Sequence, residues 1–206
     1  MEQLSFFHGL TILITLMIIQ LTEFMIPSSA SAAARPLGPI DANTEFIKTS
    51  CDATTYPELC FNTLSGYASE IQSSPQLLAG AALSATLKTV RSTSTTLSKL
   101  AKSRGLTTRE AAALNDCVEE LGDSVDELRR SIGEMGKKES SFDLQMSNIQ
   151  TWVSAALTDE DTCFDGFSGN AMNGSVKTTV RGHIVNVAHM TSNALALVNH
   201  YALIHS

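Results

Sequence analysis

Ala111–Met135, AAALNDCVEELGDSVDELRRSIGEM, is the stretch whose reading decides the fold. Leu114, Val118, Leu121, Val125, Leu128, Ile132 and Met135 recur at alternating steps of four and three, which is a single apolar stripe along an α-helix. With side chains turning by about 100° per residue, the opposite face holds Asp116, Glu119, Asp123, Arg130 and Glu134, with Glu120, Asp126 and Glu127 on its shoulders. Cys117 sits at the edge of the stripe. One helix therefore offers a core seam, a covalent anchor point and an acidic outer face.

The same spacing recurs on both sides. From Ser74-Pro75 to about Ser103, the stripe is Leu83, Leu87, Val90, Ser94, Leu97 and Ala101. Ser92 to Ser98 is rich in Ser and Thr, which are poor helix formers, but the pattern does not lapse, so packing is expected to carry that helix. Gly105 stands where a helix stops, and Thr107 with Glu110 has the form of a capping box opening the central helix. That helix runs out at Gly136-Lys137-Lys138. A cap region at Ser140–Asp143 opens a third helix with Phe142, Met146, Ile149, Val153 and Ala156 in line and Trp152 beside them, reaching Cys163 and Phe164. Asp165–Ser175, DGFSGNAMNGS, reads as a loop. The last helix carries Val180, Ile184, Val187, Thr191, Ala194, Val198 and Tyr201.

Ahead of these four helices, Arg35–Ile40 reads as an extended leader. Asp41–Ser50 reads as a short helix capped by Asp41 or Asn43. Pro57 suits the first turn of a further helix, running to about Ser73 with Leu59, Cys60, Leu64 and Tyr67 at helical spacing. No alternating β pattern of any length is found. The expected fold is all-α: an up-down-up-down four-helix bundle at 74–206, preceded by an N-terminal helical hairpin at 35–73.

Residues 1–34 read as a cleaved secretory signal peptide. Leu10–Leu21 is an apolar run, and Ala30-Ser31-Ala32 and Ala32-Ala33-Ala34 both fit a small-residue cleavage site. The run is short of the roughly 20 apolar residues that a membrane span needs, so no membrane attachment is expected after cleavage. Residues 1–34 hold Glu2 and Glu23 and no Lys or Arg, so 14 cations and 19 carboxylates remain after cleavage, a net charge of −5. Such a domain has no basic footprint for nucleic acid and suits a basic partner.

Cys51, Cys60, Cys117 and Cys163 all follow the signal, and an even count in an exported chain reads as two disulfides. Four cysteines allow three pairings. Cys51–Cys60 with Cys117–Cys163 is favoured, because Tyr56-Pro57 bends the short span and the other pairings would tie that hairpin to distant helices. Zinc would want C-x-x-C pairs or clustered Cys and His, which are missing. His183, His189 and His200 are spaced six and eleven apart on one helix, with no partner carboxylate pattern. No nucleophile elbow, phosphate loop or dinucleotide fingerprint occurs, so neither a catalytic residue nor a metal or cofactor is expected. The carboxylates of the central helix lie on a polar face with no apolar pocket to tune them for acid–base work. Asn173-Gly174-Ser175 is a sequon for N-glycosylation in the expected loop.

Three stretches carry a resemblance: Cys51-x-x-Thr54-x-Tyr56-Pro57-x-x-Cys60; Asn115-Asp116-Cys117-Val118-Glu119 with Asp123, Asp126 and Leu128; and Thr151–Thr158 (TWVSAALT) with Thr162–Phe167 (TCFDGF). They are similar to the plant invertase inhibitor and pectin methylesterase inhibitor family over essentially the whole mature chain. The resemblance implies a hairpin before a four-helix bundle and first-to-second and third-to-fourth disulfides. It also implies a secreted, non-catalytic protein that blocks a carbohydrate-acting enzyme of the cell wall or vacuole. The Pro-Lys-Phe tripeptide with which the invertase branch plugs its target is absent, and the DCVEELGDSVDELRRS and TCFDGF stretches look more like the pectin methylesterase branch. Leu121 stands where many members carry Tyr. The chain stops at Ser206, which looks like a free-standing inhibitor rather than the pro-region of an esterase.

The implied role is a 1:1 complex covering the esterase cleft in the apoplast, with acid invertase as the alternative target. Asp116, Glu119, Asp123, Asp126 and Glu127 are expected in that interface, with Ser92, Thr95 and Lys99 of the neighbouring helix as further candidates. The plain alternative for each is an ordinary solvated position. A different class of function, a helical carrier of a small apolar ligand, would need a gap in the seams.

Overall fold

The computed structural model describes residues 39–137, 141–168, 172 and 174–205. The signal reading at 1–34, the leader at 35–38 and Asn173 lie outside them. Helix α1 spans Pro39–Asp52 and α2 spans Pro57–Leu64. A 3₁₀ turn at Ser65–Tyr67 leads into the short α3, Ala68–Ile71. The long helices are α4 (Pro75–Ala101), α5 (Thr108–Met135), α6 (Phe142–Gly166) and α7 (Ser175–Leu203). Among the described residues there is no strand, and no helix is long and apolar enough to cross a membrane.

The ends of these helices are set locally. Ser74 accepts from Leu77 N–H, with Pro75 in the first turn of α4. Gly105, at φ +90°, reverses the chain after α4. Thr107 and Glu110 form the reciprocal capping box of α5: Thr107 N–H donates to Glu110 Oε2 at 2.8 Å, and Glu110 N–H to Thr107 Oγ1 at 3.2 Å. The Thr107 N–H, and next the Thr107 hydroxyl donating to the same Oε2 at 2.9 Å, hold the Glu110 carboxyl below its usual range. Ser141 caps α6 by accepting from Leu144 N–H.

The four long helices pack in a cycle, α4 on α5, α5 on α6, α6 on α7 and α7 on α4, so that sequence neighbours run antiparallel around one core. Leu114, Leu121, Leu128, Ile149, Val153, Val180, Ile184, Val187 and Val198 are fully buried there. The disulfide Cys117–Cys163 ties the early part of α5 to the late part of α6. Cys51–Cys60 closes α1 on α2. Both α2 and α3 rest on α4, and α2 also reaches α7. The void between α2, α4 and α7, beside Leu64, Thr86 and Met190, is about 10 Å³, room for one water at most.

Several sequence expectations need correcting. The first helix starts at Pro39, so Asp41 and Asn43 stand inside it rather than at its start, and Asn43 Oδ1 accepts from the Ser73 hydroxyl at 2.8 Å. The helix expected over 57–73 is broken by the 3₁₀ turn at Gly66. In α4 the buried polar positions are Thr86 and Thr93, while Leu87 and Ser94 are only partly covered. Thr86 can be buried because its hydroxyl bonds the Ala82 carbonyl at 2.8 Å. The loop expected from Asp165 begins later, since α6 runs to Gly166 and Phe167 is fully buried.

Asn193 of α7 holds the hairpin down. Its side-chain amide donates to the Tyr56 carbonyl at 2.9 Å, and its Oδ1 accepts from Tyr56 N–H at 3.0 Å. Tyr56 also stacks on His189, with ring centroids 3.5 Å apart. Asn193→Ala removes the side-chain partner of both Tyr56 backbone groups at a contact where Asn193 itself is buried. It is expected to cost about 2 kcal/mol in thermal melts and to speed proteolytic cleavage between Cys51 and Cys60.

Candidate functional site

The outer face of α5 is built by the stripe on its other side. With Leu114, Leu121 and Leu128 in the core, Asp116, Glu119, Asp123 and Asp126 are left exposed. Glu127 is half-buried. Two of the carboxylates already have partners on their own helix. Arg129 Nη1 lies 2.6 Å from Asp126 Oδ1, and Arg130 Nη1 lies 3.1 Å from Glu127 Oε1. Asp116, Glu119 and Asp123 have no such pair among the described residues, so the negative charge of this face concentrates on the first half of α5.

Helix α6 adds a residue that periodicity did not single out. Asp159 is partly buried at its contact with α5, and its carboxyl is pushed up to about 6. Burial is the larger cause, followed by the charges of Glu120, Asp123 and Glu127. Four carboxylates from two helices therefore share one patch. The disulfide Cys117–Cys163 underlies its neighbour, a groove of about 450 Å³ edged by Arg109, Asp116, Glu120 and Thr162. The patch is thus carried on two helices that are covalently joined.

The other expected site residues separate from it. Ser92, Thr95 and Lys99 are exposed on α4, and no hydrogen bond or ion pair among the described residues links them to the α5 carboxylates. The Thr95 hydroxyl is turned back onto the Arg91 carbonyl at 2.9 Å. Glu134, placed by the wheel on the outer face, is 3 % exposed. Its carboxylate meets Lys137 Nζ at 2.6 Å and Asn148 Nδ2 at 3.3 Å, and the Lys137 bond chiefly holds its carboxyl below the usual range. Gln145 of α6 donates to the Glu134 carbonyl at 2.6 Å, so this end of α5 is turned inward by polar bonds that no apolar pattern reveals. No group of three or more His, Cys, Asp or Glu able to hold a metal ion occurs among the described residues.

Three comparisons bear on this arrangement. A family profile described as "Plant invertase/pectin methylesterase inhibitor" matches residues 45–197. The chain is 49 % identical over 180 residues to the "21 kDa protein" of Daucus carota, covering 85 % of this chain and 90 % of that one. It is 44 % identical over 193 residues to "Pectinesterase inhibitor 11" of Arabidopsis thaliana, covering 91 % and 95 %. Among solved structures, a mutant form of a pectin methylesterase inhibitor from Arabidopsis superposes with a TM-score of 0.61 at 24 % identity, covering 74 % of this chain and 95 % of that one, a likeness of fold. On the extent of the profile match and the full-length likeness to these relatives, the chain belongs to the plant invertase/pectin methylesterase inhibitor family.

Proposed function

We propose that this protein is a secreted, non-catalytic inhibitor of a plant pectin methylesterase. It binds over the esterase cleft as a 1:1 complex and so limits pectin demethylesterification in the cell wall. The observation that carries the reading is the 44 % identity, over 91 % of the chain, to a relative named a pectinesterase inhibitor. The α5–α6 face supports it. An enzyme that binds a polyanion needs cationic or hydrogen-bonding groups in its cleft, and Asp116, Glu119, Asp123 and Asp159 present carboxylates to meet them. Ser92, Thr95 and Lys99 of α4 would then border the complex, residues 1–34 would be the secretory signal, and Asn173 a glycosylation site outside the contact. Residues 35–73 would form a hairpin domain element on the bundle at 74–206.

The test is to assay the purified, oxidised protein side by side against a plant pectin methylesterase and an acid invertase. Because the chain lacks the Pro-Lys-Phe element, the esterase is expected to be inhibited and the invertase spared. Inhibition of the invertase with no effect on the esterase would reverse the choice of target.

A further inference from the structure

The bundle interior contains an acid that the inhibitory face does not use. Glu160 of α6 is 0 % exposed. Its Oε1 lies 2.8 Å from Ser124 Oγ of α5 and 2.8 Å from Thr191 Oγ1 of α7, and both of those residues are also fully buried. Thr191 Oγ1 lies in addition 3.1 Å from the Val187 carbonyl, its usual partner one helical turn back. Glu160 Oε2 is buried with no partner.

Counting protons settles how these contacts are made. Thr191 has one hydroxyl hydrogen and two neighbouring acceptors. If Glu160 were ionised, that hydrogen could serve only one of them. The other O···O contact would be bare, and a carboxylate oxygen would be left dry and unpaired. With the proton on Oε1, all three contacts close in one direction: Ser124 donates to Glu160, Glu160 to Thr191, and Thr191 to the Val187 carbonyl. Oε2 is then a neutral carbonyl oxygen, the least costly polar atom to leave unpaired.

We infer that Glu160 is a proton-operated latch, a neutral acid that locks α5, α6 and α7 together through the Ser124–Glu160–Thr191 relay and releases them when it ionises. Apart from the Ser124 and Thr191 hydroxyls, no group among the described residues favours the charged form. On its own helix the flanking Asp159 and Asp161 are negative. From α5, Glu120, Asp123 and Glu127 crowd Asp159 with further negative charge. On α7, Arg181 is engaged over the Phe164 ring at 4.1 Å, His189 is stacked on Tyr56, and His183 is exposed. The buried positions of α4 and α7 hold no charged side chain. Burial pushes the Glu160 carboxyl up to about 8, against the lowering effect of the Thr191 and Ser124 hydroxyls. A carboxyl raised on folding stabilises fully below its unfolded value near 4.5, and that stability drains away as pH climbs towards the folded value. The latch is therefore shut in acid and open in alkali, independently of which enzyme the protein binds.

The test compares thermal melts from about pH 5 to pH 9 for the parent and Glu160→Gln, an isostere that keeps an acceptor and a donor but has no charge to gain. The parent Tm is expected to fall by roughly 10 °C over that range, while the Gln variant keeps only the smaller fall below about pH 7 that the raised Asp159 carboxyl contributes and is flat above it. Asp159→Asn serves as the control for the neighbouring half-buried carboxylate: it should lose the part of the fall below about pH 7 and keep the part above it. Parallel profiles for parent and Glu160→Gln would overturn the inference. Should the Gln variant fail to fold, the infrared spectrum of the Asp159→Asn chain decides. A carboxylic acid C=O stretch persisting at pH 7 and vanishing by pH 9 supports the latch, and its absence at pH 7 refutes it.

Discussion

Reversing two charges on α5, in Glu119→Lys with Asp123→Lys, is expected to weaken inhibition of the esterase by roughly 100-fold, about 2.7 kcal/mol. Both positions are exposed and have no ion pair of their own, so the substitutions take nothing from the core. Lys at 123 also removes one of the three like charges that hold Asp159 up, so thermal stability should hold or rise slightly. Circular dichroism should be unchanged while inhibition falls. Because the parent face is negative, raising salt should slow its association with the esterase more than that of the double variant. A double variant that inhibits as well as the parent would reduce this face to solvated surface and send the search for the contact to another pair of helices.

Removing the α5–α6 disulfide has the largest expected effect on stability. The 46-residue separation of Cys117 and Cys163 makes their loop worth about 4 kcal/mol in the chain-entropy model, against about 2.7 kcal/mol for the nine-residue separation of Cys51 and Cys60. Cys117→Ser with Cys163→Ser is therefore expected to lower Tm by roughly 10 °C, and by several degrees more than Cys51→Ser with Cys60→Ser. Melting the two paired variants side by side checks the order. The reverse order would mean that the hairpin staple, not the bundle staple, limits cooperative unfolding. Loss of the bundle disulfide should also weaken inhibition, because the patch spans both helices that it joins.

How legible each part was follows from what holds it. The α7 stripe from Val180 to Tyr201 is buried at every position read from the four-three spacing, since there the apolar pattern and the packing are the same fact. The Thr107–Glu110 cap was equally readable, because a capping box is satisfied within four residues. Glu134, Thr86 and Glu160 were not, and for one reason. Each is a polar residue made tolerable inside by a partner on another helix: Asn148 for Glu134, the Met190 carbonyl for Thr86, Ser124 and Thr191 for Glu160. A wheel sees only the helix on which a residue stands. Asp159 escaped in the same way, since its place in the acidic patch depends on the register between α5 and α6, which the cysteine spacing constrains but does not fix.

The bonds between Asn193 and Tyr56 impose an order in time. They join residues 137 positions apart, so at a ribosome's pace of about 5–20 residues per second the turn at Tyr56 emerges roughly 7–27 s before its clasp exists. Through that interval the N-terminal helices have no bundle to lean on, and Cys51–Cys60, nine residues apart, can close with no help from later sequence. The hairpin reaches its final seat last, although it is made first. A stall or cleavage ahead of α7 would leave a stapled hairpin with α4 alone to rest on and without its Asn193 clasp.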